Sequence, residues 1–326
     1  MKENKARWGR IGVLMGGYSS ERPISLKSGN AVFSALRAEG CEVVALDILD
    51  REEEKITRTI VDARIDVAFI ALHGHLGEDG TIQSILEKIG VPYTGSGPQA
   101  NRLAINKVST QNLFKQNAIA TPRHVALSGT DEVRGKNIWK ELQSLPVVVK
   151  PATEGSSIGV QLVIRQEEIG PAVEAARKYS DQVLIESYIQ GREMTVGILD
   201  QRALPVIEIR PRNGFFDFSA KYQAGMTEYI VPAEIPEATA GVLQKTALQA
   251  FRLLGCSDMA RVDFILTEDL TPYVLEVNTI PGFTATSLLP KAAKQIGLSF
   301  SELCFQLIEL AYEKKKKPAD PILCRR

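Results

Sequence analysis

The sequence predicts a chain of mixed α/β (α+β) class that opens with a parallel α/β domain. Three observations predict it. Apolar strands alternate with helical stretches up to about residue 100, the β–α–β order of a parallel sheet. Two hairpin-like pairs of strands lie further along. The length, 326 residues, exceeds what one ordinary core organises and fits two or three domains.

The elements follow in order. RIGVLMG (10–16) reads as a buried strand. After GGYSSERPIS, the stretch SLKSGNAVFSALRAEG carries a helical pattern that Gly40 stops. CEVVALDIL is a second strand. DVAFIALHG is a third, running into the loop HGHLGEDG and then the helix TIQSILEKIG. Loops at the carboxyl ends of parallel strands are where ligands usually sit. NRLAINKVSTQNLFKQN is expected as one helix opening a second domain. VVVKPATEGSSIGVQLVI reads as a hairpin, EEIGPAVEAARKYS as a helix and VLIESYI as a strand. EMTVGILD and ALPVIEIRP are strands of a third region. A long polar segment around FSAKYQAGMTEYIVPAEIP follows, then a helix over about 237–254 and two more strands. SFSELCFQLIELAYEK is a helix of regular apolar spacing, and KKKKPADPILCRR is expected as a solvated tail. The expected divisions are 1–100, 101–186, 187–312 and a basic tail, 313–326.

Composition excludes several classes. Lys plus Arg and Asp plus Glu are equal at 39 each, so no basic field invites nucleic acid. No apolar stretch approaches the about 20 residues that span a bilayer. The polar start, MKENKARWGR, does not read as a signal peptide. The four cysteines, Cys41, Cys256, Cys304 and Cys324, lack CxxC spacing, which fits reduced thiols and a cytoplasmic location; Cys304 reads as a packing residue.

The strands MARVDFIL (259–266) and PYVLEVNT (272–279) flank TEDLT. A hairpin symmetric about Asp269–Leu270 sets Asp263 opposite Glu276 and Arg261 opposite Asn278. Opposed residues share a face, so these four cluster, while Val262, Phe264, Leu275 and Val277 are expected on the apolar side. Facing carboxylates repel. Arg261 offsets part of this, and a divalent cation does so better: two carboxylates and an amide oxygen are hard ligands suited to magnesium. The other reading is a surface salt-bridge network. TEGSSIG (153–159) supplies glycines, serine hydroxyls and successive N–H groups able to cradle anionic oxygens. Lys150, at the end of the strand entering it, adds a point charge. No Walker-type G-x-x-x-x-G-K-[ST] run is present. Together the two features suggest a nucleotide clamp.

The strings GGYSSERPIS, LHGHLGEDGTIQ, NK at 106–107, VVKPATEGSSIGV, IESYIQGRE, AKYQAGMTEYIVPA, ARVDF and LEVNTIPGFTATSLLP occur in one order. Over about residues 10–312 the chain resembles the D-alanine–D-alanine ligase family. The resemblance implies the three-domain ATP-grasp fold, with the glycine–serine loop folding over ATP. It implies that ATP phosphorylates one D-alanine and that the amine of a second attacks the acyl phosphate.

By the same resemblance, Asp263, Glu276 and Asn278 bind two magnesium ions, with Glu276 bridging; manganese is a substitute. Arg261 and the N–H of Gly282 form the oxyanion hole. Lys107 and Lys150 contact ATP phosphates, with Ser156 and Ser157 in the covering loop and Lys221 reaching the γ-phosphate. Glu186 and the backbone of Ser187, Tyr188 and Ile189 form the adenine hinge, and Glu193 takes the ribose. Glu21 holds the first ammonium, although locally it reads equally as a carboxylate at a helix N-terminus. His73 lies near the first substrate or is structural, and Glu78 supports its loop, while Asp79 caps the next helix. Glu21, Ser156 and Tyr222 form a hydrogen-bonded triad closing the loop. Ser287 and the Leu288 backbone take the second carboxylate, or Ser287 simply caps a helix. Intact AKY favours D-alanine as acceptor. Thr286, where many members carry histidine, and Phe283 and Ile280 are departures expected to tune second-site affinity.

The resulting expectation is a cytoplasmic ATP- and magnesium-dependent ligase for peptidoglycan synthesis, homodimeric by analogy. Its alternatives are a D-serine or D-lactate ligase and a non-catalytic nucleotide-binding regulator.

Overall fold

A computed structural model describes residues 7–129, 131, 138–211 and 227–316. Three sheets organise them. The first is parallel, in the order β2 (Glu42–Ile48), β1 (Arg10–Gly16), β3 (Val67–Ile70). Helices α1 (Arg22–Ala38), α2 (Glu53–Asp62) and α3 (Thr81–Lys88) accompany it. β1 and β3 carry almost unbroken apolar runs, as a parallel sheet covered on both faces requires. The α2 segment escapes a sequence reading because only Ile56 and Ile60 bury themselves among charged neighbours.

Where one helix was expected over 101–117, two form: α4 (Pro98–Ile105) and α5 (Lys107–Gln116). Asn106 breaks them with extended backbone and caps α5, accepting the Ser109 N–H at 3.0 Å. Ala100, Ala104, Phe114 and Ile119 join the core of the third sheet. The second sheet is antiparallel, in the order β4 (His124–Ser128), β7 (Gln182–Ser187), β5 (Val147–Pro151), β6 (Gln161–Val163). Helices α6 (Ile138–Leu142) and α7 (Ile169–Arg177) contribute to its core.

In the third sheet, β11 (Thr227–Ile230), β10 (Ile207–Pro211), β8 (Arg192–Leu199), β12 (Met259–Leu266) and β13 (Pro272–Asn278) run in that order, with β9 (Arg202–Ala203) pairing β8. Helix α8 (Glu237–Leu253) covers one face through Leu243, Ala247 and Phe251. Helices α9 (Leu288–Gln295) and α10 (Phe300–Lys316) return to the core of the first sheet. Cys41, Cys256 and Cys304 are free and buried.

Two expectations need correction. α10 runs on to Lys316, two residues past the expected helix end, and Lys314 is not solvated: its Nζ lies 2.7 Å from the buried Asp258 carboxylate and 4.9 Å from the Tyr93 ring centroid. Leu275 does not face the core. The β12–β13 register shifts after Asp263/Glu276, so Phe264 faces Val274. A bulge places two consecutive residues on one side; Val274 and Val277 are buried, and Leu275 and Glu276 both line a cleft.

Candidate functional site

The carboxylate hairpin supplies the centre. Asp263 pairs with Glu276, and Arg261 with Asn278, the register expected from the charge pattern. Asp263 is pinned from several sides. Thr195 Oγ1 donates to Oδ1 at 2.6 Å, Arg261 grips both oxygens at 2.8 Å, and Asn278 Nδ2 donates to Oδ2 at 3.0 Å. Glu276 Oε2 lies 3.2 Å from Lys107 Nζ. Each carboxylate thus faces a cation, which answers the cross-strand repulsion. The donor set of two carboxylates and an amide fits a hard divalent ion. Among the described residues no cluster of three or more His, Cys, Asp or Glu could hold a metal.

A cleft of about 490 Å³ lies between the second and third sheets, with Lys107, Lys150, Asp263 and Glu276 in its lining. Val148, Ile189, Met194, Phe264 and Leu275 give it an apolar side. Lys150 Nζ is 2.7 Å from Glu186, and both side chains are nearly fully buried. Gln111 also donates to Glu186. Lys107 and Gln111 stand one turn apart on α5, so one helix face serves both Glu276 and Glu186. Gln111 was missed from sequence, although its i, i+4 spacing from Lys107 was the available signal.

The hinge after β7 is fixed from outside. Ser187 N–H donates to Arg123 O at 2.8 Å, Tyr188 N–H to Pro146 O at 3.1 Å, and Ser187 Oγ to Leu142 O at 3.2 Å. Tyr188, Ile189 and Glu193 line the cleft. Gly191 permits the turn to pass close to β12, since a Cβ there would come within 2.4 Å of Leu266 O. Glu208, also missed, is 3% exposed and clamped by Arg192 at 2.6 and 2.8 Å and by Arg210 at 2.8 Å. Despite burial, the two guanidiniums hold its carboxyl below the usual range.

The glycine–serine loop closes the cleft toward the first sheet. Ser156 Oγ donates to Glu21, and Lys107 Nζ donates to Glu154 O at 2.7 Å. Ser156 and Ser157 have φ of 50° and 59°, a left-handed geometry uncommon for serine. Gly155 lies so near Glu21 that a Cβ would sit 2.9 Å from its Oε2. Burial raises the Glu21 pKa, against the Ser156 hydrogen bond and Lys107, which lower it. Tyr222 and Lys221 lie outside the described residues, so only the Glu21–Ser156 side of the expected triad is seen.

Beside Glu21, His73 Nδ1 is 2.9 Å from Ile280 O and its Nε2 is 3.0 Å from Ser28 Oγ. The carbonyl can only accept, so Nδ1 carries the proton and Nε2 accepts from Ser28. Burial lowers the His73 pKa to about 4. Both ring nitrogens are used inside the protein, and Ser28 Oγ also accepts the Phe283 N–H at 3.0 Å. His73 therefore supports the Ile280–Phe283 turn that carries Gly282. Phe283 and Ile280 are core residues. Glu78 accepts the Gly74 N–H at 2.7 Å; burial, then the Glu21 charge, raise it to about 8. Asp79 accepts the Leu76 and Thr81 N–H groups at 2.9 Å, but the N-cap position of α3 falls on Gly80 without a side-chain cap, which corrects the expected Asp79 cap.

Ser287 occupies the N-cap position of α9, yet its side chain does not cap the helix. It turns back to Thr284, accepting its N–H at 3.0 Å. Gly282 lies beside it, with a Cβ position 3.6 Å from Ser287 Oγ. The N-terminus of α9 and Ser287 thus face the same turn as Gly282.

The family model described as "D-ala D-ala ligase C-terminus" matches residues 113–309, and "D-ala D-ala ligase N-terminus" matches 49–96. The chain is 44% identical over 315 residues to a D-alanine–D-alanine ligase of Syntrophotalea carbinolica, covering 97% of this chain and 100% of that one. A ligase of the same name from Geotalea uraniireducens is 46% identical over 303 residues, covering 93% and 95%. Among solved structures, the Bacillus anthracis D-alanine–D-alanine ligase complexed with ATP has a TM-score of 0.83 at 35% identity, covering 94% and 98%. The VanG D-Ala:D-Ser ligase of Enterococcus faecalis has a TM-score of 0.78 at 30% identity, covering 93% and 99%.

Proposed function

The chain belongs to the D-alanine–D-alanine ligase family, and from that premise we infer that it is an ATP-dependent enzyme joining two D-alanines into D-alanyl-D-alanine. The fold is ATP-grasp, and the product serves peptidoglycan synthesis. The observation that carries the reading is the Asp263–Glu276 pairing, set in a cleft with Lys107 and Lys150 under a glycine–serine loop.

Adenine occupies the apolar side of the cleft, between Tyr188 and Ile189 of the hinge and Phe264 and Leu275 of the third sheet. Glu193 takes the ribose hydroxyls, and Glu186, steadied by Lys150 and Gln111, faces the base. Lys107, Lys150 and the N–H groups around Ser156 and Ser157 hold the phosphates, joined by Lys221. Asp263, Glu276 and Asn278 would hold magnesium. When bound, magnesium neutralises charge gathering on the transferring phosphoryl group.

Glu21 holds the ammonium of the first D-alanine. A carboxylate oxygen of that D-alanine attacks the γ-phosphorus, the bond to the bridging oxygen breaks, and ADP leaves. Ser287 and the N-terminus of α9 hold the second carboxylate, where helix N–H groups favour an anion. The second amine, entering as the neutral base, attacks the acyl carbon, and the proton it then sheds leaves on the departing phosphate. Arg261, oriented by its two bonds to Asp263, and the Gly282 N–H stabilise the oxyanion. The carbon–oxygen bond to phosphate then breaks, leaving the peptide. Chemistry here is mostly positioning and electrostatics.

No helix among the described residues is long and apolar enough to cross a membrane. By analogy with the family, we place the enzyme in the cytoplasm as a homodimer. Its divisions are taken at about residues 100 and 186. The test is phosphate release with D-alanine, D-serine and D-lactate assayed in parallel, with the product identified. D-alanine alone should support rapid turnover. Preference for D-serine or D-lactate would select the neighbouring specificity, and no acceptor-dependent release would overturn the ligase reading.

A further inference from the structure

His75 lies two residues beyond His73, on the loop that follows β3, and has no part in the chemistry above. Its ring is half-exposed. Nδ1 stands 3.7 Å from Asp79 Oδ2, and Nε2 stands 3.3 Å from Glu154 Oε1. Asp79 is itself fixed by the Leu76 and Thr81 N–H groups. Glu154 is part of the glycine–serine loop, its side chain is largely buried, and its backbone oxygen receives Lys107. A ring on the first-sheet loop thus connects an anchored carboxylate to one on the loop covering the cleft.

We propose that His75 is a positioning residue for the ligation reaction, holding the glycine–serine loop over the nucleotide cleft by bridging Asp79 and Glu154. The assignment of that cleft to ATP rests on the function proposed above. The ring acts on a different point of the loop from Glu21. Glu21 takes the Ser156 hydroxyl at the left-handed tip, whereas His75 takes the side chain of Glu154, whose carbonyl steers Lys107 toward Glu276. Losing the bridge loosens the loop and Lys107 together, which weakens ATP binding more than it slows the step between bound substrates.

The groups facing His75 are Asp79 on its own loop and Glu154 on the covering loop. Tyr18, beside Asp79, has its own pKa raised, chiefly by burial, and stays neutral. The Asp79 and Glu154 carboxylates raise the His75 pKa to about 10 from an ordinary value of 6.5. A cation-forming group with a raised pKa in the bridged state holds it fully below about 6.5. It loses that hold as pH rises toward 10.

The test compares His75→Ala, His75→Arg and Glu154→Gln with the parent chain, in two readouts. The first is proteolytic cutting at 153–159 in the ligand-free protein. The second is the KM for ATP and kcat across pH 6 to 9.5. H75A and E154Q should be cut several-fold faster and show a KM for ATP raised about three- to tenfold at pH 6.5, with kcat within about twofold. The double change should be no worse than either alone. H75R should restore both readouts and remove the rise of KM with pH seen in the parent. Cutting and KM within about twofold of the parent in H75A, or an H75R variant as impaired as H75A, would overturn the proposal. Absence of D-alanine-dependent phosphate release from the parent chain would instead overturn the ligase reading, and the cutting comparison would still judge His75.

Discussion

Replacing Glu276 with glutamine keeps shape and removes one charge from the centre of the cleft. Glu276 lies directly across from Asp263 and 3.2 Å from Lys107 Nζ, with its side chain about one-fifth exposed. At an effective dielectric near 20, two unit charges 4 Å apart interact by about 4 kcal/mol. A doubly charged ion gains about twice that from the carboxylate. The attraction to Lys107, given up in competition, cancels about half. The remaining loss of about 4 kcal/mol corresponds to a roughly 1,000-fold fall in magnesium affinity or turnover. The fold should be indifferent. Glutamine still accepts a hydrogen bond from Lys107, and repulsion across the hairpin disappears, so stability should move by less than about 1 kcal/mol. The assay is D-alanine-dependent phosphate release against magnesium concentration, with urea unfolding as the fold control. Parental turnover and magnesium dependence in a folded Glu276→Gln protein would refute the charge argument.

Lys150→Met leaves the Glu186 carboxylate buried with Gln111 as its remaining identified partner and should cost about 3–5 kcal/mol, most of it recovered in Lys150→Met/Glu186→Met; urea midpoints for the three proteins decide this. Burial lowers the His73 pKa from 6.5 to about 4. The folded state therefore binds fewer protons than the unfolded one in that window, and a contribution of about 3 kcal/mol, full above pH 6.5, is lost toward pH 4. His73→Gln should flatten the unfolding profile between those values, and an unchanged slope would contradict the neutral-histidine reading. Lys314→Met removes the partner of the buried Asp258, whose pKa burial already raises. It should destabilise by at least about 2 kcal/mol, measured by thermal unfolding, with no change in KM for D-alanine. Protease should cut near 153–159 in the free protein and less with ATP and D-alanine bound; equal cutting would count against closure.

The carboxylate hairpin was legible because charge and apolarity alternate with period two, and a one-residue slip would have mixed them. That held as far as Asp263 and Glu276. Beyond them the bulge at Leu275 was invisible, because alternation reports faces and not an extra residue in one strand. The break at Asn106 was written in the sequence as a capping side chain, yet the apolar pattern runs through it. β4, α6 and α2 were passed over because short edge strands and charged helices carry little periodic signal. Gln111, Glu208 and His75 depend on neighbours 75, 16 and 79 residues away in sequence. No local pattern reports such partners. His73 was legible as a residue of the site, but its tautomer and its hold on Ile280 and Ser28 needed coordinates.

The central claim is that the paired acids of one β-hairpin position the cation and ATP beside the amino-acid site. Crystals grown with manganese, an ATP analogue and D-alanine test it by anomalous scattering. Peaks about 2.0–2.3 Å from Asp263 and Glu276 oxygens, with the Asn278 amide on one ion and D-alanine's ammonium at Glu21, are the predicted result. Cations bound away from both acids, or triphosphate outside the cleft between Lys107 and Lys150, would contradict it.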